Sequence, residues 1–203
     1  MKKKFDFSDF IARRWYVYVI WLFVSIIVAT SAFSMITSAK KDERVSFFIC
    51  ADEETGGLAG ALDERRPDGI KQINVTVAGA SDPYYGLLLT TRGYSDADIL
   101  ILPETAFTEE DVRGAFAPLD EHLFKKEFGS ATAYEADGVI YGIKVFDKKT
   151  GEGAAKGYLT YSKEGSETSD VYLFFNKKSV NLGALGKCAS DGAIKLCKAF
   201  IAL

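Results

Sequence analysis

Apolar and polar positions follow three regimes along this chain, and the first is the sharpest. From Trp15 to Ile36 (WYVYVIWLFVSIIVATSAFSMI) no charged residue occurs over 22 positions. A helix rises 1.5 Å per residue, so about 20 such residues cross a ~30 Å hydrocarbon core. Trp15, Tyr16, Tyr18 and Trp21 cluster at the entry side, where amphipathic rings suit a headgroup layer. The pattern predicts one transmembrane helix over residues 15–37. A cleavable signal peptide is the rival reading, with Thr37-Ser38-Ala39 as its cleavage site; the long core and bulky leading segment weigh against it. A helix buried in a soluble core is the second rival, and the unbroken uncharged run with interfacial aromatics opposes it.

The second regime alternates short apolar runs with helical patterns. After a charged linker, residues 38–44, Val45 to Ala51 (VSFFICA) is apolar throughout, as a strand buried on both faces of a parallel sheet must be. Leu58, Ala61 and Leu62 then have helical spacing up to Pro67. Ile70 to Ala78 reads as a second strand. Asp82 and Pro83 read as the cap and first residue of a helix carrying Tyr85, Leu88 and Leu89. Asp98 to Leu102 (DILIL) is a third strand, and Thr108 with the acids after it opens a helix to about Phe116. Such alternation predicts an α/β, doubly wound unit. After Asp120 the character changes. Glu135 to Phe146 reads as a hairpin turning at Asp137-Gly138. Gly157 to Tyr161 and Val171 to Phe175 read as a further strand pair, joined by the polar loop Ser162 to Asp170. Asp191 to Leu203 puts Ala193, Ile194, Cys197, Phe200 and Ile201 on one helical face. The expected organisation is a cytoplasmic tail (1–14), a transmembrane helix (15–37), a linker (38–44) and one mixed-sheet domain (45–203).

Charge sharpens the division. Met1 to Arg14 hold five basic residues against two acidic ones, net +3, in a chain of overall charge −3, which leaves −6 for the remainder. The basic residues ahead of the apolar run outnumber Lys40, Lys41 and Arg44 just after it. That bias orients the N-terminus to the cytoplasm and the domain outside. An acidic domain also speaks against nucleic acid as a partner.

Candidate chemistry is thin. His122 is the sole histidine and reads as an ordinary surface residue of an amphipathic helix, so neither a histidine metal site nor a Ser-His-Asp triad is expected. Thr55-Gly56-Gly57 lacks the spacing of a phosphate loop. Asp52-Glu53-Glu54 reads as first-turn charges favoured by a helix dipole. Cys50, Cys188 and Cys197 lack metal-ligand spacing; buried thiols at Cys50 and Cys197, a Cys50–Cys188 bridge and a Cys50–Cys197 bridge all stay open. No activated nucleophile or acid–base pair stands out, so no enzyme and no cofactor are expected. Open α/β sheets bind ligands beyond the carboxyl ends of their strands. The corresponding loops carry Asp52, Glu53, Asp82, Tyr84, Tyr85, Glu104 and Thr105, whose carboxylates and rings could hold a sugar-like solute or a protein partner. The competing reading is that a tyrosine packs in the core and the acids cap helices.

Four segments carry a resemblance. Ala97-Asp98-Ile99-Leu100-Ile101-Leu102-Pro103, Phe116-Ala117-Pro118-Leu119-Asp120, Asp137-Gly138-Val139-Ile140-Tyr141-Gly142-Ile143 and Tyr172-Leu173-Phe174-Phe175-Asn176-Lys177 resemble, in order and approximate spacing, passages of the extracellular solute-binding proteins of bacterial ABC transporters. Lys144 stands where that family commonly has proline. The family's lipidated cysteine is missing, and the apolar helix takes its place. The chain stops about one helix after Asn176, where the family crosses into a second lobe. The resemblance implies a doubly wound, mixed-sheet lobe like lobe I of periplasmic-binding proteins, carried on a membrane anchor. It implies an accessory or docking module working with transporter permease subunits. A stand-alone single-lobe binder of a small solute such as a sugar, or a non-catalytic surface interaction protein, are the alternatives; one lobe alone cannot enclose 70–90% of a small ligand.

Overall fold

The computed structural model describes residues 7–129, 131–161 and 169–203 and divides the chain into two compact units, Met1–Ser38 and Ala39–Leu203. The first unit is helix α1 (Phe7–Thr37). Within it Trp15–Ser34 is long and apolar enough to cross a membrane, with a mean hydropathy of 2.1, and none of that span is buried. A soluble core helix would hide such side chains; here Trp15, Trp21, Phe23 and Ile27 are all exposed. The hydroxyls inside the span are satisfied locally, Ser25 donating to the Trp21 carbonyl at 2.8 Å and Thr30 to that of Ile26 at 2.7 Å, as a medium without water demands. The helix begins ahead of the apolar run, so residues 7–14 of the expected tail belong to it. Met1 to Asp6 lie outside the described residues.

The second unit is built on one mixed sheet. In chain order its elements are β1 (Arg44–Cys50), β2 (Glu53–Glu54), α2 (Leu58–Glu64), β3 (Gln72–Ala78), α3 (Tyr85–Leu88) continuing as a π-helical turn (Leu89–Tyr94), β4 (Ile99–Pro103), α4 (Glu109–Ala115), α5 (Glu121–Phe128), β5 (Ala133–Ala136), β6 (Val139–Asp147), β7 (Glu152–Gly153), β8 (Leu159–Thr160), β9 (Val171–Phe175) and α6 (Gly192–Ile201). Seven strands form the sheet in the order β3-β1-β4-β9-β6-β5, with β7 paired to β6. β1 runs parallel to β3 and β4, whereas β9 is antiparallel to both β4 and β6. The two apolar runs occupy the middle: every residue from Phe47 to Cys50 and from Ile99 to Leu102 is buried.

Helices cover both faces. On one, Val45, Phe47, Ile49, Ile99 and Ile101 meet Leu58 and Leu62 of α2 and Leu196 and Phe200 of α6. On the other, Phe48, Leu100, Leu102 and Phe174 meet Leu89, Val112 and Phe116. Each such side chain fully removed from water contributes roughly 1.5–3 kcal/mol. The α/β class and the mixed sheet are as expected from sequence. The hairpin turns at Asp137 (φ 51°) and Gly138 (φ 74°), the pair of positive φ values that a type I′ turn requires.

Four local expectations are corrected. Lys41–Glu43 forms a 3-10 turn rather than a free linker, and Arg44 already belongs to β1; the Lys71 amide donates to the Glu43 carbonyl at 2.6 Å and the Lys71 ammonium pairs with its carboxylate at 2.8 Å. Glu53 and Glu54 are not first-turn charges of α2, which has no acid in its first turn. They form a strand against Thr160 and Leu159. The helix expected at Pro83 begins at Tyr85, because the Asp82 carboxylate accepts the Tyr84 amide at 2.7 Å and holds a turn there. Finally, Gly157–Tyr161 does not pair with Val171–Phe175. β9 is apolar on both faces and is drawn into the sheet interior, while 158–160 crosses the end of β1, where the Asp52 amide donates to the Thr160 carbonyl at 2.9 Å. Residues 162–168 of the polar loop lie outside the described residues.

Candidate functional site

Strands β1, β3 and β4 end together, with Cys50 opposite Ala78 and Ile49 opposite Ile101. Because β9 is antiparallel, it starts at this same end, with Val171 opposite both Pro103 and Phe146. The carboxyl end of the sheet thus gathers the loops after β1, β3 and β4 with the start of β9 and the end of β6.

The seven residues chosen from sequence divide there. Glu53, Glu104 and Thr105 are exposed, Asp52 and Asp82 are half-buried, and the Tyr84 side chain stands 68% exposed. The Ala51–Asp52 backbone closely approaches Gly79, where an added Cβ would sit 3.6 Å from the Ala51 carbonyl oxygen. This brings the first two loops side by side. Asp82 is occupied in its own turn. Tyr85 takes the core role: its ring packs 6.3 Å from that of Phe48, and its hydroxyl is buried without a hydrogen-bond partner of good geometry among the described residues. Burial foremost, then the neighbouring Cys50 thiol, pushes Tyr85 well above the ordinary phenol range.

Glu104 leads to residues the sequence did not single out. Its amide donates to the Asp170 carbonyl at 2.9 Å, and Asp170 is one member of an ion triad. The Lys144 ammonium lies 2.7 Å from Asp170 Oδ2 and 2.9 Å from Asp147 Oδ2. The amides of Lys148 and Lys149 donate to Asp170 Oδ1 and Asp147 Oδ1 at 2.9 and 2.8 Å. Hydrogen bonds from Lys144 and Lys149 hold Asp147 below its ordinary range. Burial pushes Asp170 upward, but Lys144, the Lys148 amide and the lysine charge outweigh it and the net shift is downward. The strand register shifts between Lys144 and Phe146, a bulge beside the triad. Next to it Tyr134 and Tyr172 meet edge to face at 5.1 Å, with Phe107 5.4 Å from Tyr134. Burial, then the charges of Asp170 and Glu104, raises the Tyr172 hydroxyl; burial, then Glu109 and Glu104, raises that of Tyr134. Both phenols stay protonated donors beneath an acidic rim. This set can hydrogen-bond and stack on a polar surface. The signal that could have found it was Lys144 itself, a charged residue inside the otherwise uncharged run Gly138–Phe146.

A second polar cluster sits at the opposite, amino end of the strands. Asp98 is 8% exposed. Its Oδ2 accepts the Ser46 amide at 2.9 Å, and its Oδ1 accepts a short hydrogen bond from the Ser179 hydroxyl and another from Asn181 Nδ2 at 3.3 Å. Asn181, fully buried, also donates to the carbonyls of Lys41 and Arg44 at 3.1 and 2.8 Å. Burial raises the Asp98 pKa, and the hydrogen bonds from Ser179, Ser46 and Asn181 only partly offset it.

Among the described residues, three concavities stand out, and neither the seven loop residues nor the Lys144 triad line any of them. One of about 80 Å³ lies over Asp98. One of about 450 Å³ lies along Ser46, Asn74, Thr76 and Arg92. The third, about 200 Å³ and mostly apolar, lies between α5 and α6. His122 is exposed on α5. All three cysteines are free thiols, Cys50 and Cys197 buried. Among the described residues no group of three His, Cys, Asp or Glu side chains is placed to hold a metal ion. No protein-family model, curated protein or solved structure gives a significant match to this chain.

Proposed function

We propose that this chain is an uncleaved, single-pass membrane protein whose domain is a solute-binding-like lobe, serving as a non-catalytic docking or accessory component of an ABC-type transport system. In this reading the N-terminus is cytoplasmic and the domain lies outside. The observation that carries it is the convergence of the four resembling segments into one continuous patch of sheet. β4 pairs with β9 from Ile99–Phe175 to Pro103–Val171, Gly142 of β6 pairs with Phe174, Phe116 bridges to Asn176, and Leu119 bridges to Ile140. Segments that matched separately along the chain form a single structural unit, as they would if the likeness were one of fold. The exposed loop tips with Glu53, Tyr84, Glu104 and Thr105 support a docking face, since tyrosine is a frequent anchor of protein interfaces.

The test is co-purification of the tagged full-length chain from crosslinked membranes. Recovery of permease subunits supports the proposal, and Tyr84→Ala lowers that recovery while leaving the melting temperature of the domain unchanged. An anchor side chain of this kind contributes about 2 kcal/mol, roughly 30-fold in Kd. Recovery of no membrane partner, or a Tyr84→Ala variant indistinguishable from wild type, overturns the docking role. Release of the intact chain by carbonate overturns the anchor.

A further inference from the structure

The small concavity over Asp98 combines features that the loops at the other end lack. It is lined by Lys41, Arg44 and Lys178 together with Ser95, Asp96 and Ser179. Among the described residues none of these three cations has an ion-pair partner, in contrast to Lys71, Lys125, Lys144, Lys156, Lys195 and Lys198, which all do. Both acids of the pocket are already engaged: Asp96 faces Arg92 at 3.7 Å, and the oxygens of Asp98 accept from Ser46, Ser179 and Asn181. An acidic domain has thus gathered three cations without a salt-bridge partner around one hollow, where Arg44 also feels the charge of Asp98. At about 80 Å³ the hollow holds the equivalent of two or three waters at roughly 30 Å³ each. That is the scale of a phosphate group and far below a drug-sized site of ~300 Å³ or more.

Covalent continuity says where such a group comes from. Helix α1 ends at Thr37, and only Ser38, Ala39 and Lys40 separate it from Lys41. At about 3.5 Å per residue that stretch reaches at most ~14 Å. If Trp15–Ser34 lies in the hydrocarbon, Lys41 is tethered within reach of the headgroup layer, where basic side chains gain about 1 kcal/mol each from anionic lipid. Lys41 and Arg44 are fixed rather than trailing, because Asn181 grips both of their carbonyls. Arg44 adds a planar fork suited to phosphate oxygens.

We infer that the pocket of Lys41, Arg44 and Lys178 binds the phosphate of an anionic phospholipid headgroup and so seats the domain on its own membrane. This inference rests on the anchor reading and is independent of the transporter role. The test uses the full-length chain in nanodiscs of phosphatidylcholine with or without phosphatidylglycerol, treated with an uncharged acetylating reagent and mapped by mass spectrometry. Lys41 and Lys178 become about fivefold slower to acetylate with phosphatidylglycerol, while Lys40 and Lys177, exposed beside them but outside the lining, change less. Arg44→Gln abolishes the difference, and Lys178→Gln reduces it at Lys41. Equal rates in the two lipids overturn the inference, as does equal slowing of all four lysines, which marks a diffuse surface contact. Protection by inorganic phosphate in pure phosphatidylcholine, with none from phosphatidylglycerol, overturns the lipid source in favour of a soluble phosphate. Failure of the chain to co-elute with nanodiscs sinks the anchor reading itself, separately from the pocket.

Discussion

At the amino end of the strands a buried carboxylate is held by neutral donors; at the carboxyl end one is held by a lysine. Asp98 receives an amide, a hydroxyl and a carboxamide, and its pKa is raised. Asp170 receives an amide and the Lys144 ammonium, and its pKa is lowered. Both side chains are largely withdrawn from water, so burial alone does not set the sign of the shift. A formal positive charge at hydrogen-bond distance reverses what desolvation imposes, and neutral dipoles only moderate it. The structural consequences differ too. The Asp98 cluster ties Ser46 of β1 to Ser179 and Asn181 beyond β9, and through Asn181 to the 3-10 turn ahead of β1. The lysine triad ties only β6 to the start of β9.

The largest effect is expected where most partners depend on one group. Asp98→Ala leaves the Ser46 amide and the Ser179 hydroxyl without an acceptor in the interior, while Asn181 Nδ2 keeps the Lys41 and Arg44 carbonyls. Stranded buried donors cost about 1–3 kcal/mol each, so the domain should lose about 3 kcal/mol or more in chemical denaturation of the full-length protein in detergent. Asp98→Asn keeps the shape and one carbonyl acceptor and should lose about 1 kcal/mol. Equal stability of Asp98→Ala and wild type would mean that the cluster is solvated and that the contrast between the two ends is false.

Next comes Lys144→Met, which leaves Asp147 and Asp170 facing each other across the vacated ammonium. The Lys144 and Asp170 side chains are 16% and 15% exposed, between the regimes of surface and interior pairs, so a loss of about 1–2 kcal/mol is expected. Combining it with Asp170→Asn should recover part of that loss, because the coupling belongs to the pair. Gly142→Ala probes the sheet between the two clusters. Its Cβ would fall 2.7 Å from the Phe174 ring, which is itself stacked on Phe116 at 4.4 Å and cannot yield, so a cost of about 1–3 kcal/mol is expected.

These positions also mark how far the sequence could be read. The parallel half was legible because β1 and β4 are buried on both faces, and a strand with two buried faces is apolar at consecutive positions whatever its neighbours are. The hairpin was legible because Asp137-Gly138 adopts backbone angles few other pairs tolerate. The partner of β9 was not legible: its composition shows that it is interior but not between which strands. The place of 158–160 was missed for a related reason, since a two-residue ladder leaves no periodicity. At the candidate site the loops were found by a general rule of open sheets, and exposed Tyr84 and Glu104 lie on them. The rule is blind to the start of an antiparallel strand, so Asp170 and Tyr172 at the head of β9 fell outside it; Lys144 and Asp147 reach the same end on β6, which runs with β4 but belongs to the hairpin half of the sheet. Tyr85 shows the reverse failure, a loop tyrosine whose ring belongs to the core.

The smallest effect is also the most direct reading of the contrast, because it asks each carboxylate to report its own sign. A group whose folded pKa is raised binds protons more tightly when folded. Stability attributable to Asp98 therefore rises as pH falls through its folded pKa, and levels off near the ordinary value of 3.8. A group whose folded pKa is lowered does the opposite. The stabilisation from Asp147 and Asp170 is fully present above 3.8 and is lost as pH falls below it. Melting temperature followed from pH 7 downward should show the two contributions in separate windows, with Asp98→Asn removing the rise above 3.8 and Asp170→Asn reducing the fall below it. A carboxylate shifted by a lysine also answers to salt where it is partly exposed. Added salt should thus soften the lower window more than the upper one, since Asp98 owes its shift to burial first. Should both variants change the same window, the two ends of the sheet would be titrating as one environment, and the lysine would not be what separates them.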